Sequence, residues 1–577
     1  MEKIYKKIGI ILLLLAVSFS CDLDGDLVNP NEVSIAGADV DLIMNGIQLD
    51  FADFYSFASG NSVNADETAF GPDRLMRMRA MSTGYRYQTA GQSQYFDNVW
   101  EWAYSKVLIN IETMLPLVEE KGLTTHVAVA KILKAYTYIT LVDLFGDVPF
   151  SSALSAGTGE FNPSADGGEA IYDAAIATLA EARAELAKTG ADAGSALARD
   201  VYYGGDRVKW NALANSLELK AQLNLSMIDS RKASANAAIT SLLAGDLIDT
   251  EAENFVYKYG TATVPVSRHP TYRQYYAPTA GGASGYICNS FLNELYKGKP
   301  DLADPTNSTK FTEDPRWRFY FFRQVGSIAK ANSIDPKAVG CTEGAIPNHY
   351  ANGDYEFCTF DPGFYGRDHG DASGTPPDGP VITCAGSYPA GGTSDVNPIA
   401  NDGFAKTTQQ GQGGDGAGIE PIFMSFFTDY MKAEFLLRTN DEAGAKAALV
   451  AGINKSITQV KNFAESIKQP VAASLLPSTA TYLAAVDYLW TKSTNKMEVI
   501  GREFYVACWG NGIEAYNAYR RTGGPSNMQP TLQLNPGPWY RSLVYPAVFV
   551  NLNSSATQKD FDATNKVFWD TNPATLN

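Results

Sequence analysis

The strongest hydrophobic signal in the chain runs from Val127 to Phe150, VAVAKILKAYTYITLVDLFGDVPF. Ala128, Ile132, Ala135, Ile139 and Val142 recur at helical spacing, and Val129, Leu133, Tyr136, Leu141, Leu144 and Phe145 occupy much of the rest. This pattern predicts a helix that is apolar on nearly all sides and therefore enclosed by other elements. Gly146 is suited to a left-handed cap, and Pro149 prevents the helix from resuming. Asp97–Glu120, with Val99, Ala103, Val107 and Ile111 on one face, predicts a second helix. The two form an αα-hairpin with a very short turn before Thr124-Thr125.

Further helical periodicity covers Val40–Phe57, Glu169–Lys188, Lys209–Ser226, 231–244, Pro421–Arg438, Asp441–Ser466, Leu475–Trp490 and Asn495–Tyr519. Between 246 and 420 the periodicity fades. Pro, Gly, Tyr and Asn dominate there, and 361–418 is especially rich in Gly and Pro. A run of this length without regular structure is functional or disordered, and its many aromatics argue for order. The expected organisation is helical hairpins over 40–245, an irregular loop-rich lobe over 246–420, and further hairpins ending in coil over 421–577. The hairpins have the length of tetratricopeptide units, although the letters of that repeat are not kept.

The N-terminus changes the picture. Lys3, Lys6 and Lys7 precede an apolar stretch, Ile8–Val17, and then Ser18-Phe19-Ser20-Cys21. The stretch is far shorter than the roughly 20 residues needed to span a bilayer. Residues 1–20 are therefore expected to be a signal peptide. Cys21 at its boundary resembles a lipobox cysteine and is the expected lipidation site. Residues 21–39 then form an acidic tether opened by Asp22-Leu-Asp24-Gly-Asp26. This is not a calcium loop, because Val33 stands where the bidentate Glu is required.

Composition narrows the partners. A formal net charge of -17 argues against nucleic acid, which needs clustered Lys and Arg. A hydrophobic fraction of 45% supports a sizeable core, and 31 Tyr suit ordered loops that carry amphipathic rings. Five cysteines remain after Cys21, an odd number without a C-x-x-C pair. A disulfide between two of Cys341, Cys358 and Cys384 is plausible, whereas the pairing of these with Cys288 and Cys508 is open. The four His are scattered, so no metal or triad pattern emerges. Asp368 and Asp371 are the one weak calcium pair. Gly411-x-Gly413-x-x-Gly416 follows polar Thr407–Gln410 instead of a strand, so it is a glycine-rich loop and not a dinucleotide fingerprint. No cofactor is implied. A carboxylate pair for glycoside hydrolysis has no local motif and stays open.

Two loop clusters carry the residue types of a ligand platform. One holds Tyr85, Arg86, Tyr87 and Tyr95; the other holds His269, Tyr272, Arg273, Tyr275, Tyr276 and Tyr286, with Trp317 downstream. Aromatic faces can stack on sugar C–H groups or hold peptide side chains, with polar groups fixing orientation. Tyr85, Tyr87, Tyr272, Tyr275, Tyr276 and Trp317 are the expected ligand-binding residues. Trp100 and Trp102 lie on a helix and are expected in the core, and Arg316 and Arg318 are expected to pair with acidic loop residues.

Several stretches, in order, resemble the SusD/RagB family of Bacteroidetes outer-membrane lipoproteins. They are Trp100-x3-Tyr104 to Asn110, Ala130–Phe150 with its Gly-Asp-Val-Pro strap, Arg207–Ser226, and the Glu313-Asp-Pro-Arg316 turn. Ser425–Arg438 followed by Asn440–Ala443, Ile513–Tyr516, Arg520–Gly523 and Arg541-x3-Tyr545-Pro546 complete the set. Val548-Phe-Val replaces an acidic residue common after that Tyr-Pro, and the early Asn29-Pro-Asn31 suggests a divergent branch. The resemblance implies a mainly α fold, with four tetratricopeptide-like hairpins supporting an irregular ligand-binding lobe. It implies a lipid-anchored protein facing the cell exterior. Such a protein binds a glycan, or in some branches a peptide, does no chemistry, and caps a SusC-like TonB-dependent transporter.

Overall fold

Asp39 caps the first helix, its side chain accepting from the backbone N–H groups of Asp41 and Leu42, and α1 runs Val40–Ser59. The computed structural model describes residues 39–60, 71–80, 92–275, 287–307, 310–325, 359–360, 364–370, 381–385, 388, 413–468, 471, 473, 476–531, 535, 537–561, 564–573 and 576. The expected signal peptide, Cys21, the tether up to residue 38, Tyr85, Tyr87, Tyr276, Tyr286, Cys341, Cys358 and Asp371 lie outside them.

The expected αα-hairpin is present, with one departure. Its first arm, α2, is continuous but changes winding: α-helical at Asp97–Trp100, π-helical over Glu101–Leu108, α-helical again over Ile109–Glu120. The second arm, α3, spans Thr124–Phe145. Every residue of α3 is buried except Lys131 and Lys134. These two point outward to Glu181 at 2.9 Å and Glu112 at 2.6 Å. The all-round apolar pattern is thus explained by packing on every side. Gly146 does end α3, but at φ 73°, ψ -114°, so it is not the left-handed cap expected. This positive-φ corner still requires Gly, and it throws the chain into a strap where Val148 bridges Asp166.

Further helices are α4 Gly168–Ala187, α5 Arg207–Leu225, α6 Lys232–Leu242, α7 Pro270–Tyr275 and α8 Asn289–Lys297. The C-terminal part holds α9 Ser425–Arg438, α10 Glu442–Ser466, α11 Thr479–Lys492, α12 Lys496–Ala507, α13 Gly512–Thr522 and α14 Ala547–Leu552. Two expectations are corrected. Pro421–Phe423 belongs to a strand and not to the helix that follows, because this buried run pairs with another strand across its length. Asn495–Tyr519 is two helices, since Gly510 takes φ 87° and Asn511 starts a new helix by accepting from Glu514 N.

Among the described residues the strands form three antiparallel pairs: β1 Phe255–Tyr259 with β6 Gly418–Phe423, β2 Phe321–Val325 with β5 Val381–Ala385, and β3 Thr359–Phe360 with β4 Phe364–Tyr365. Each pair lies within the sequence enclosed by the one before it.

A buried polar cluster ties the helices together. Asp143 of α3 accepts from Asn517 at 2.7 Å, from Trp569 at 3.1 Å and from the Tyr172 hydroxyl, and Lys220 lies 3.4 Å away. Lys220 also pairs with Glu514. The cluster therefore joins α3, α4, α5, α13 and the C-terminal coil. Cys288 and Cys508 are buried free thiols. Asp368 accepts from Asn289 at 3.0 Å, and no group of three or more His, Cys, Asp or Glu suited to a metal occurs among the described residues.

Candidate functional site

A cleft of ≈ 420 Å³ opens where α1, the π-helical segment and β1 meet the start of the lobe. One face of α1 builds its wall. Leu49, Ala52, Asp53, Ser56 and Phe57 recur at i, i+3, i+4, i+7 and i+8, which places them together on a helix. Trp102, at the start of the π-helical segment, stacks on Phe57 with ring centroids 6.0 Å apart and planes 23° apart. Tyr257 and Tyr259 share one side of β1, because strand residues alternate, and they meet edge to face at 5.1 Å. Val266, Ser267, Arg268, Pro270 and Arg273 close the other side.

The floor is held by residues from distant parts of the chain. The Tyr259 hydroxyl donates to Glu420 at 3.3 Å, and Ser59 donates to the other oxygen of that carboxylate at 3.4 Å. His269 packs on Tyr259 at 4.9 Å, and its Nδ1 accepts from Thr271 N. Burial, with Arg79 adding to it, pushes its pKa down to about 3, so the ring is neutral. The His269 backbone N–H donates to Gly416 O at 2.8 Å. Gly416 has φ +94°, and a Cβ there would stand 2.8 Å from Arg268 Cβ and 2.9 Å from Tyr272 Cδ1. Gly416 thus serves close packing beneath the cleft.

The electrostatics are mixed. Asp53 is pushed up to about 6, first by desolvation and then by Asp50, with Arg273 opposing. Its carboxylate therefore titrates close to neutral pH. The Arg268 guanidinium lies 5.3 Å from the Tyr272 ring centre and donates to Thr261 O at 2.8 Å. The site presents aromatic faces, one carboxylate and two guanidinium groups, a combination suited to ligands with both C–H faces and polar substituents.

Two of the expected binding residues are buried. Tyr272 is 1% exposed and sits behind the cleft. Trp317 is 0% exposed, donates to Glu313 at 3.1 Å, and is absent from the cleft lining. Tyr275 ends α7, two residues beyond Arg273. Trp100 packs in the core as expected, but Trp102 is only half-buried and lines the cleft. Arg316 does pair with a neighbouring acid, Asp314, and also with Glu503 of α12. Phe57, Asp53 and Trp102 were legible only as helix residues, whereas the Tyr-x-Tyr alternation at 257–259 was a usable signal.

A sequence profile of the family described as "Starch-binding associating with outer membrane" matches residues 42–337, which include every residue lining the cleft. No curated protein sequence matches significantly. Among solved structures, the chain is similar to a chitin-binding protein at 18% identity and TM-score 0.60, covering 92% of this chain and 100% of that one. It is similar to a SusD/RagB family protein from Bacteroides thetaiotaomicron at 19% identity and TM-score 0.61, covering 90% and 95%. It is also similar to a SusD homologue from Bacteroides fragilis at 18% identity and TM-score 0.59, covering 92% and 99%. No described helix is long and apolar enough to cross a membrane.

Proposed function

This chain belongs to the SusD-like family of outer-membrane-associated proteins, and from that premise we propose that it is a non-catalytic, lipid-anchored glycan receptor of the cell surface. It captures an oligosaccharide in the cleft beside α1 and delivers it to a SusC-like TonB-dependent transporter. The observation that carries this reading is the Phe57–Trp102 stack opening onto a cleft that also holds Asp53. A pyranose ring lies its C–H face on such a pair, and its hydroxyls donate to the carboxylate one helical turn away. The expected lipid on Cys21 and the loop residues Tyr85, Tyr87, Tyr275 and Tyr276 remain part of this proposal, the loop tyrosines as further contacts around the ligand.

A second reading, capture of peptides, is favoured by one feature. Arg268 and Arg273 line the cleft together with Asp53, so it offers both signs of charge to the ends of a short peptide.

Calorimetry on the full mature protein, with starch, chitin and other oligosaccharides beside a peptide mixture, separates the two. Binding of one glycan, lost in Trp102→Ala and Asp53→Asn and without turnover, supports the first reading. Binding of peptides alone supports the second. Glycan hydrolysis abolished by one carboxylate substitution overturns both.

A further inference from the structure

The cleft beside α1 carries a charge balance opposite to that of the chain. The sequence holds 63 Asp and Glu against 46 Lys and Arg, yet the cleft is lined by two guanidinium groups, Arg268 and Arg273, and one carboxylate, Asp53. Elsewhere guanidinium groups are committed to carboxylates. Arg183 reaches Glu218 and Arg231 reaches Asp173, each at 2.6 Å, and Arg438 and Arg502 reach Glu434 and Glu294. Among the described residues neither Arg268 nor Arg273 has a carboxylate within 4 Å. Arg273 acts on Asp53 only from farther away.

Both groups are placed to meet a ligand. Arg268 is half-buried, and its stem lies where a Cβ on Gly416 would intrude. Its Nε donates to Thr261 O at 2.8 Å, and its guanidinium lies 5.3 Å from the centre of the Tyr272 ring. These contacts orient the group and leave its two Nη atoms without a protein acceptor among the described residues. Arg273, near the end of α7, is exposed, and its side chain makes no hydrogen bond among the described residues. The neighbouring acids do not cancel this charge. Asp50 lies outside the lining and is answered by Lys106. Glu420 is buried and accepts from Tyr259 and Ser59. A concave site with an excess of one sign concentrates ligands of the other. Guanidinium groups meet an oxyanion through parallel N–H···O bonds, a geometry that a neutral sugar hydroxyl cannot use.

We infer that the ligand is an acidic glycan, a sugar bearing a carboxylate or a sulfate ester. Arg268 and Arg273 hold the oxyanion, Phe57 and Trp102 carry the ring, and Asp53 accepts from the hydroxyls. A short peptide brings a cation with the anion at its other end, so it gains less from a second guanidinium. The inference rests on the reading of the cleft as a glycan site, and it adds the class of substrate.

Calorimetry on the full mature protein with matched pairs tests it. An oligogalacturonate is compared with its methyl-esterified form, and a sulfated galactan oligosaccharide with its desulfated form. The pair that shows a preference tells carboxylate from sulfate. At least one acidic member is expected to bind about tenfold or more tightly than its neutral counterpart, the size of one hydrogen bond to a charged group. Raising salt from about 0.05 M to about 0.5 M shortens the screening length and is expected to weaken the acidic member alone. Arg273→Gln is expected to bring the acidic-to-neutral ratio of affinities near one. Arg273→Lys is expected to keep part of it, because the charge stays and the fork is lost. An unchanged melting temperature in Arg273→Gln separates lost recognition from lost folding. Neutral members that bind as tightly as the acidic ones, or a ratio unmoved in Arg273→Gln, overturn the inference and leave the glycan reading standing. Binding of peptides alone, or of no glycan in either pair or among the neutral oligosaccharides, overturns both.

Discussion

Arg316 reaches Glu503 at 3.1 Å, joining the Asp314-Pro315-Arg316 turn to α12 across 187 residues of sequence. The same guanidinium holds Asp314 at 2.8 Å and Ser456 at 2.8 Å, and all of these groups are buried. The ion pair therefore anchors the segment before β2 to the C-terminal helices. Removing one member of a buried pair leaves the other charge uncompensated, which costs about 3–5 kcal/mol. Arg316→Met is expected to lower unfolding stability by that amount in chemical denaturation. A loss below about 1 kcal/mol, the range of exposed pairs, would show that the turn is not held this way.

Acid should release the same region. Burial raises the Glu294 pKa, but Arg502 and Lys299 outweigh it and hold the carboxyl down to about 2. Because the folded value lies below the unfolded one of about 4.3, this stabilisation is complete above that value. It is lost as pH falls from there towards 2. Asp314 is shifted in the same direction by Arg316. Melting temperature is expected to drop through this window in the unmodified protein and to vary less with pH in Glu294→Gln.

Asp53 has the opposite sign. Its carboxyl is raised to about 6, so ionisation of the empty cleft opposes folding as pH climbs from the ordinary value towards 6. Asp53→Asn is expected to stabilise the empty protein at pH 7, by no more than about 1 kcal/mol once solvent screening is allowed for. The same substitution removes an acceptor for ligand hydroxyls. Affinity for a neutral glycan is therefore expected to fall in the unmodified protein as pH drops through 6, and to be weak and flat with pH in Asp53→Asn. Calorimetry at pH 5 and 7.5 measures both.

Gly416→Ala tests the packing beneath the cleft. The added methyl group meets Arg268 and Tyr272 at under 3 Å, on a backbone with φ +94°. A cost of about 1–3 kcal/mol is expected from the strain, together with weaker ligand binding, because Arg268 lines the site. A crystal structure of this variant is expected to show the 268–273 segment displaced outward.

Lys220→Met removes the only cation within 4 Å of the Asp143 and Glu514 carboxylates among the described residues. Its cost is expected to be about 3–5 kcal/mol, with loss of folded protein on expression. Methionine preserves the volume, so the effect isolates the charge.

The helices were largely legible in the sequence because their signals are local. α3 shows its burial through hydrophobicity on every face. The Pro421–Phe423 strand was hidden, since a short apolar run has the same letters whether it pairs with a strand or continues into a helix. The break at Gly510 was hidden because Asn511 gains its partners, Pro421 O and Ile422 O, only in the folded chain. The cleft was the least legible part. Tyrosine-rich loops drew attention, yet Tyr272 supports the cleft from behind and Trp317 is buried elsewhere. Trp102 looked like a core residue because it sits on an apolar helix. Its orientation depends on the π-helical winding and on Phe57, and neither can be read from the letters around it.

That winding makes the segment Glu101–Leu108 a party wall. Trp102 lines the cleft beside α1, and Glu101, Tyr104 and Ser105 line a second depression beside the same segment, together with Trp100, Pro149 and Phe549. A substitution that restored ordinary α-helical pitch would rotate all four side chains together. The two surfaces are therefore coupled through one stretch of backbone, and a change in its winding moves both at once.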